Sequence, residues 1–311
     1  MPDAVHLWIV ILHYNGYADT RACLRSLLKA EKTEEPVNIL MVDNGSRDDS
    51  PARLQTEFTA RVEFLSTSRN LGYAGGNNLG IQCALNAGAN LILLLNNDTI
   101  VAPDFIATIL RAATQQPEVG MWGGKIFYLD APERIWYAGG EMQTWLGRTR
   151  HFGFGQRDCA VLQREREVDF ITGCAMLARA EVFAKLGLLD ETLFLYYEDV
   201  DFCQRAERAG IIMRYLPNAV LRHKVGAGVG KQMTSDYLYY QTRNRYHVLQ
   251  RGRGLIYKLW LLVLHLVVYT GVRMFLIALH GGPNRLQKMR AIGQGAWDAL
   301  RRRYGPRLTL A

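Results

Sequence analysis

The apolar run Leu93-Leu94-Leu95 stops abruptly at Asn96-Asn97-Asp98. A run of this kind is a buried strand that delivers a carboxylate to its carboxyl end, the edge where open α/β sheets bind ligands. Further along come a second acidic cluster, Tyr197-Glu198-Asp199-Val200-Asp201-Phe202, and then His223. A nucleotide diphosphate leaving group concentrates negative charge. Mg²⁺ or Mn²⁺ neutralises it through hard oxygen ligands, commonly one or two carboxylates plus phosphate oxygens. Asp98 is placed to be such a ligand and His223 is a candidate second one; imidazole suits Mn²⁺ better than Mg²⁺. Glu198 and Asp199 open a helix, where acids also favour the helix dipole. As a functional pair, one of them is a general base on an acceptor hydroxyl. Neighbouring carboxylates, with Asp201 close by, separate in pKa, which keeps one basic near neutrality. The aromatic residues Phe194, Tyr196 and Tyr197 either line an acceptor site or belong to the core. Together the clusters point to metal-assisted transfer from a nucleotide-linked donor.

These residues need a scaffold, and the hydrophobic pattern describes one. His6–Leu12, Val37–Val42, Val62–Leu65 and Leu91–Leu95 read as strands, separated by helices over Thr20–Ala30, from Ser50-Pro51 onward, from the glycine-rich turn to Ala87, and over Pro103–Gln115. Such alternation predicts a mostly parallel sheet with helices on both faces. Further strands are expected at Val119–Phe127, Ile135–Tyr137, Val168–Leu177 and Ile211–Leu216, a mobile polar loop over Thr144–Arg166, and a helix over Glu198–Ala209 stopped by Gly210. Asp43, at the end of the second strand, is placed to accept from a uracil or thymine N3–H or to hold a ribose hydroxyl. The turn Gly72–Gly76 lets backbone approach a ligand, with Asn77 and Asn78 opening the helix. It is not G-x-G-x-x-G and carries no Walker lysine, so dinucleotide and NTPase readings are weak.

Charge is unevenly distributed. Of the net +8, the first 240 residues sum to −4, whereas the last 71 carry thirteen Lys and Arg against Asp298 alone. Inside this basic tail, Leu259–Leu279 is nearly all apolar. An apolar stretch flanked by cations suits an anionic membrane surface better than nucleic acid. Because both flanks are basic, both favour one compartment, which fits an in-plane or re-entrant helix better than a crossing one; a buried helix of a soluble bundle is the alternative. The segment Val225–Gly230 is expected to lead out of the first domain, giving domains 1–224 and 225–311. Five dispersed cysteines argue for reduced thiols, and the apolar run Leu7–Leu12 is too short for a signal peptide, so a cytoplasmic chain bound peripherally to the inner face of the membrane is expected.

In this order, Ile11-Leu12-His13-Tyr14-Asn15, Val42-Asp43-Asn44-Gly45-Ser46, Asn70-Leu71-Gly72-Tyr73-Ala74-Gly75-Gly76-Asn77-Asn78, Leu95-Asn96-Asn97-Asp98, Thr172-Gly173-Cys174-Ala175-Met176-Leu177, Tyr197-Glu198-Asp199-Val200-Asp201-Phe202 and His223 resemble a family 2 glycosyltransferase of the GT-A fold. The resemblance covers residues 5 to 225, and the glycine-rich turn with the Glu-Asp-x-Asp helix is similar to the rhamnosyltransferase branch. It implies an inverting transferase moving rhamnose from dTDP-rhamnose to a hydroxyl of a glycan or lipid-linked acceptor in cell-surface polysaccharide synthesis. Tyr14, Asn15, Asp43, Asn44, Arg69, Asn70, Gly75, Asn77, Asn97 and Asp98 would hold the nucleotide sugar. Asp98 and His223 would hold Mn²⁺ or Mg²⁺, Asp199 with Glu198 would serve as base, and Thr172, Gly173 and Tyr197 would face the acceptor. The family's metal motif is usually Asp-x-Asp; here its first position is Asn96, which leaves one carboxylate. Alternatives are a UDP-hexose or UDP-galactofuranose donor, a nucleotidyltransferase, or a non-catalytic protein that binds anionic lipid. The nucleotidyltransferase lacks its usual basic loop, since Tyr14–Asp19 holds neither Lys nor Arg.

Overall fold

The computed structural model describes residues 5–225, 233–282 and 284–308; the expected exit segment therefore lies, from residue 226 on, outside the described residues. Its first half is built from apolar strands that alternate with helices: β1 (Leu7–His13), α1 (Tyr17–Leu28), β2 (Val37–Asp43), α2 (Ser50–Phe58), β3 (Glu63–Ser66), α3 (Gly72–Asn86) and β4 (Leu91–Asn96). Strands β1 to β4 run parallel, with β1 between β2 and β4. Continuous burial along β1 and β4 explains their unbroken apolar runs, since helices cover both faces. Helix α1 starts three residues earlier than its apolar pattern suggests because Gly16, at φ 82°, turns the chain directly into it.

A short β5 (Thr99–Val101) and α4 (Phe105–Gln115) follow. The sheet then grows by β6 (Val119–Tyr128), β7 (Ile135–Tyr137), β10 (Arg166–Glu167), β11 (Ala175–Arg179) and β12 (Ile212–His223), to the order β10-β12-β6-β11-β4-β1-β2-β3 with β5 on β12 and β7 on β6. Strand β11 is antiparallel to both neighbours. Between β7 and β10, β8 (Gly140–Gln143) and β9 (Arg148–His151) form a separate hairpin. The stretch expected as a polar loop thus contains a strand, paired through backbone bonds that its polar side chains gave no sign of.

The strand expected over Val168–Leu177 is also corrected: only Ala175–Arg179 is strand. The backbone at Gly173 is committed elsewhere. Its N–H donates to Asp199 Oδ2 at 2.9 Å and its carbonyl accepts from the Tyr73 hydroxyl at 2.6 Å, so neither group is left for a ladder. Strand β12 extends past its expected end to His223 and crosses an irregularity between Leu216 and Val220.

Helices α5 (Ala180–Leu186) and α6 (Glu198–Arg208) lie between β11 and β12. Beyond β12 come α7 (Ser235–Leu249), α8 (Leu255–Leu264), a π-helical stretch His265–Val272, α9 (Arg273–His280) and α10 (Arg285–Leu300). Val248, Leu249 and Leu261 join the main core, and α7 pairs with α10 in a smaller cluster around Leu238, Tyr239 and Ile292. From α8 to α9 the chain is one helix of 26 residues whose most apolar 18-residue window has mean hydropathy 2.0, and only 11% of that window is buried. All five cysteines are free.

Candidate active site

The site forms where β1, β2, β4 and β12 end. Strand β4 stops at Asn96, and Thr99 of β5 pairs with His223 of β12. That pairing sets Asp98 beside His223, with Oδ1 and Nε2 3.0 Å apart. The Lys224 N–H donates to the Asp98 carbonyl at 3.0 Å, and the Lys224 ammonium pairs with Asp19. Burial works to raise the Asp98 pKa, but the His223 contact and the Lys224 charge hold it below the usual carboxylate value. His223 is buried against Trp136, ring centroids 4.9 Å apart. The Asn97 amide points back into the fold, donating to Thr20 Oγ1 at 2.8 Å. Thr20 in turn lies 2.7 Å from His13 Nδ1, whose Nε2 is 2.7 Å from Ser50 Oγ. His13 is thus the middle of a buried polar chain from the β4 edge to Ser50. Burial lowers its pKa against the pull of Asp43 and Asp48.

The β1 and β2 ends are tied together by Asn15, at φ 55°, which accepts from the Arg47 N–H and donates its own N–H to Ser46 Oγ. Asp43 accepts from the Ser46 N–H at 3.1 Å. Asn44 is fully engaged: its amide donates to Asn70 Oδ1 and the Gly72 carbonyl, and its oxygen accepts from the Leu71 N–H. Asn77 donates to the Tyr73 carbonyl. The side chain of Asn44 is therefore committed to the turn at Asn70–Gly72, whereas Asn77 bonds one turn back along α3: the helix opens at Gly72, five residues before Asn77, so the segment expected as a turn is its first turn. Gly45 allows the backbone at Arg69 to approach where a Cβ would come within 2.5 Å of it, while Tyr14 and Arg69 remain exposed. The glycine-rich turn serves packing more than the sequence suggests. A Cβ on Gly76 would lie 2.3 Å from Leu12 and one on Gly80 2.3 Å from Val10, so these two glycines seat α3 on the sheet. Gly75 faces Leu71, with the Glu191 carboxyl beyond.

In the second carboxylate cluster Glu198 and Asp201 are buried and Asp199 is half-buried. Asp199 accepts from the Gly173 N–H at 2.9 Å and the Val200 N–H at 2.8 Å, whereas Glu198 Oε2 has no partner among the described residues. Burial and the neighbouring Asp199 charge push the Glu198 pKa well above the carboxylate range. Burial also raises that of Asp199, but its backbone donors oppose the rise. Of the two, Glu198 therefore takes the proton first and Asp199 stays the basic partner. The Gly173 N–H donates to Asp199, its carbonyl accepts from the Tyr73 hydroxyl, and the next carbonyl, of Cys174, accepts from the Asn96 N–H at 2.9 Å, so adjacent peptide groups join the second carboxylate cluster to the end of β4. Thr172 is buried and accepts from the Cys174 N–H. Asp201 does not join the pair: it faces Arg205 at 2.8 Å and Arg251 at 2.7 Å, which neutralise it.

Residues 4–245 match the sequence pattern described as glycosyltransferase like family 2. The chain belongs to this family. Among relatives, a family 2 chain of this kind is similar to an N-acetylglucosaminyl-diphospho-decaprenol L-rhamnosyltransferase of Mycobacterium tuberculosis, 29% identical over 73% of this chain and 78% of the relative. It is also similar to a dTDP-rhamnosyl transferase of Shigella flexneri, 24% identical over 79% and 81%. Its fold matches a mannosyltransferase of Pyrobaculum calidifontis solved with GDP-Man and Mn²⁺ at TM-score 0.58 and 11% identity, covering 95% of this chain and 87% of that one. The fold is accordingly a GT-A-like α/β architecture.

Divalent-metal binding in this glycosyltransferase can be tested on its donor set. Asp98 Oδ1 and His223 Nε2 converge, but among the described residues no group of three His, Cys, Asp or Glu side chains could hold an ion unaided. Two protein donors fit an ion that also takes substrate phosphate oxygens, and they do not fit an all-protein cage.

Sequence reasoning missed the clamp on the segment that leads into Glu198-Asp199. Phe194, Tyr196 and Tyr197 all have positive φ, 66°, 66° and 75°. These strained aromatic residues lead directly into Glu198-Asp199. Three consecutive residues of α7 hold them. The buried Asn244 amide donates to the carbonyls of Leu193, Leu195 and Tyr196 at 2.9, 2.9 and 2.8 Å. Arg243 donates to the Leu193 carbonyl at 2.8 Å and Arg245 to the Tyr197 hydroxyl at 2.9 Å. The available signal was Arg243-Asn244-Arg245 in a helix where Asn244 and Arg243 are fully buried.

Proposed function

We propose that this glycosyltransferase moves rhamnose, with inversion, from dTDP-rhamnose to a hydroxyl of a glycan or lipid-linked acceptor, using Mn²⁺ or Mg²⁺. The observation that carries this reading is that the adjacent residues Gly173 and Cys174 bind Asp199 and the end of β4, which brings the Glu198–Asp199 pair and the Asp98–His223 pair to one sheet edge. A leaving diphosphate and a base on an acceptor hydroxyl are what such an edge suits. Tyr14, Asn15, Asp43, Arg69, Asn70 and Gly75 would surround the nucleoside, with Asn44 and Asn97 fixing the loops that do so and Asn77 bonded within α3. Asp98 and His223 would hold the metal, whose chemistry is to neutralise the departing diphosphate. Asp199, fixed by two backbone N–H groups, would take the acceptor proton, and Glu198, neutral, would leave that charge uncontested. Thr172, Gly173 and Tyr197 would border the acceptor. Rhamnose is supported by both relatives' names, and Mn²⁺ by the mannosyltransferase solved with it.

The helix from Leu255 to His280 would lie on an anionic membrane and bring a membrane-bound acceptor within reach. Tyr257, Leu261, His265, Tyr269 and Ile277 all touch the rest of the chain, at steps of four residues or multiples of four. In a regular α-helix each step of four drifts about 40° around the axis; the wider π turn at His265–Val272 takes up part of that drift and keeps the stripe on one side. A helix held along its whole length lies beside the domain, which favours the in-plane reading over a crossing one. Residues 1–224 would then be the catalytic domain and 225–311 the membrane-associating region.

A thermal-shift comparison of dTDP-rhamnose, UDP-galactofuranose and UDP-hexoses, each with Mn²⁺, tests the donor. Stabilisation grows with ligand concentration over Kd. The largest shift is expected with dTDP-rhamnose; a larger one with a UDP donor would replace rhamnose in this reading.

A further inference from the structure

The turn Thr144–Gly147 between β8 and β9 has an unusual hydrogen-bond arrangement. Its three successive carbonyls are each taken by an aromatic donor of the apolar helix. Tyr257 donates to Thr144 at 2.9 Å, the Trp260 indole N–H to Trp145 at 2.9 Å, and the Tyr269 hydroxyl to Leu146. A turn standing in water has no need of such donors, because water supplies them. At membrane depth a non-helical turn is tolerated only when protein groups satisfy its backbone. The side chains of the same turn do the opposite of its backbone and point outward: Trp145 is 70% exposed and Leu146 49%. The Trp145 ring meets Tyr257 of the helix, centroids 6.2 Å apart, and Ile256, Leu259 and Val263 of the same helix are also exposed. Gly147, at φ 57°, seats the turn on the helix, since a Cβ there would lie 2.7 Å from Leu261. Cations follow on both elements, Arg148 and Arg150 along β9, Arg253 just before the helix and Lys258 in its first turn. A satisfied backbone, an apolar tip and a cationic border match the boundary between the headgroups and acyl chains of an anionic bilayer.

We infer that the turn Thr144–Gly147 enters the surface of an anionic bilayer together with the Leu255–His280 helix, so that the catalytic domain itself is anchored at two places. This inference rests on the membrane-facing reading of the helix. The catalytic domain would thereby take a fixed orientation on the membrane, where one helix alone would leave it free to roll.

The test is sedimentation with vesicles of phosphatidylcholine and phosphatidylglycerol, using the full chain. Wild type is compared with Trp145→Ser, Leu146→Ser, Tyr269→Phe and Val161→Ser, the last an exposed apolar residue of the 3₁₀ turn Ala160–Gln163, which has no part in the turn or the helix. Trp145→Ser and Leu146→Ser are expected to lower the vesicle partition constant about tenfold. Tyr269→Phe, which uncaps one turn carbonyl, should lower it in the same direction, while Val161→Ser leaves it unchanged. Brominated acyl chains should quench more tryptophan emission in wild type than in Trp145→Ser. If wild type binds and the turn variants bind equally well with the same quenching, the inference is overturned and the helix alone is the anchor. If wild type does not bind these vesicles, or instead pairs with a second copy through this face, the membrane reading falls and takes the inference with it. Unchanged thermal unfolding of the variants establishes that they are folded.

Discussion

Replacing Asn244 by leucine keeps the branching at Cγ, with bulkier methyl groups, and removes the amide that gathers three carbonyls. Leu193 keeps its bond from Arg243, so the carbonyls of Leu195 and Tyr196 are the two left without this donor. Arg243 Nε also loses its acceptor, Asn244 Oδ1 at 2.8 Å; a buried group deprived of its partner costs about 1–3 kcal/mol, hence about 3–9 kcal/mol for the three. The stretch they belong to already holds three aromatic residues at positive φ, each a strained position of about 1–3 kcal/mol. The loop can relieve both burdens by relaxing locally, so global stability should fall by less than the sum. The relaxation would move Tyr197 and, through it, the first turn of α6 with Asp199. A displacement of the base of about an ångström costs about 10²-fold in rate. The expected result for Asn244→Leu is therefore a kcat down by 10- to 100-fold with the donor KM within about threefold of wild type. Initial rates from nucleotide-diphosphate release, measured alongside thermal unfolding, decide it. A lower Tm with unchanged kcat would mean that Asn244 stabilises the loop without positioning the base, and the reasoning would be refuted.

Asp199→Asn preserves shape and removes basicity, so kcat should fall by about 10²-fold or more while donor-induced thermal shifts persist; near-normal turnover would make Asp199 a helix-start acid only. In wild type, the acid limb of the kcat profile should lie above the ordinary carboxylate value of about 4, because burial raises the Asp199 pKa and the base is lost as pH falls through that raised value. Asp98→Ala should abolish the part of donor binding that depends on Mn²⁺, and activity unaffected by exhaustive EDTA would reassign His223 to direct phosphate contact. Stability should also decline on acidification. Burial lowers His151, His247 and His265 to about 4, so between pH 6.5 and 4 the unfolded chain takes up protons that the fold refuses. Each histidine then costs up to about 1.4 kcal/mol per pH unit, with the full stability present above that window. His265→Phe, which also removes two ring nitrogens without partners, should raise Tm more at pH 5 than at pH 7.5; an equal gain at both would rule out its titration.

What the sequence determined follows from local chemistry. A parallel strand covered on both faces must be apolar until it leaves the core, so the first polar residues after it mark the ligand edge. That is why Asp43 and Asn96-Asn97-Asp98 could be placed from their neighbours alone, and why alternating apolar segments were enough for the α/β sheet. The apolar tail with cationic flanks was legible for the same reason, as composition. What only the tertiary structure decided are relations between distant segments that leave no periodic trace. Asp98 meets His223 because β5 pairs with β12, a register that Thr99 and His223 do not announce. Gly173 breaks its strand because Asp199 and Tyr73 claim its backbone. Phe194, Tyr196 and Tyr197 read from the sequence either as the lining of an acceptor site or as core. Their left-handed conformation exists because Asn244, from a helix beyond the sheet, binds the carbonyls that the conformation exposes. The protonation order of Glu198 and Asp199 was decided in the same way. In sequence they are adjacent and nearly alike; in the fold one has two backbone donors and the other has an oxygen with no described partner, and that difference separates their charges.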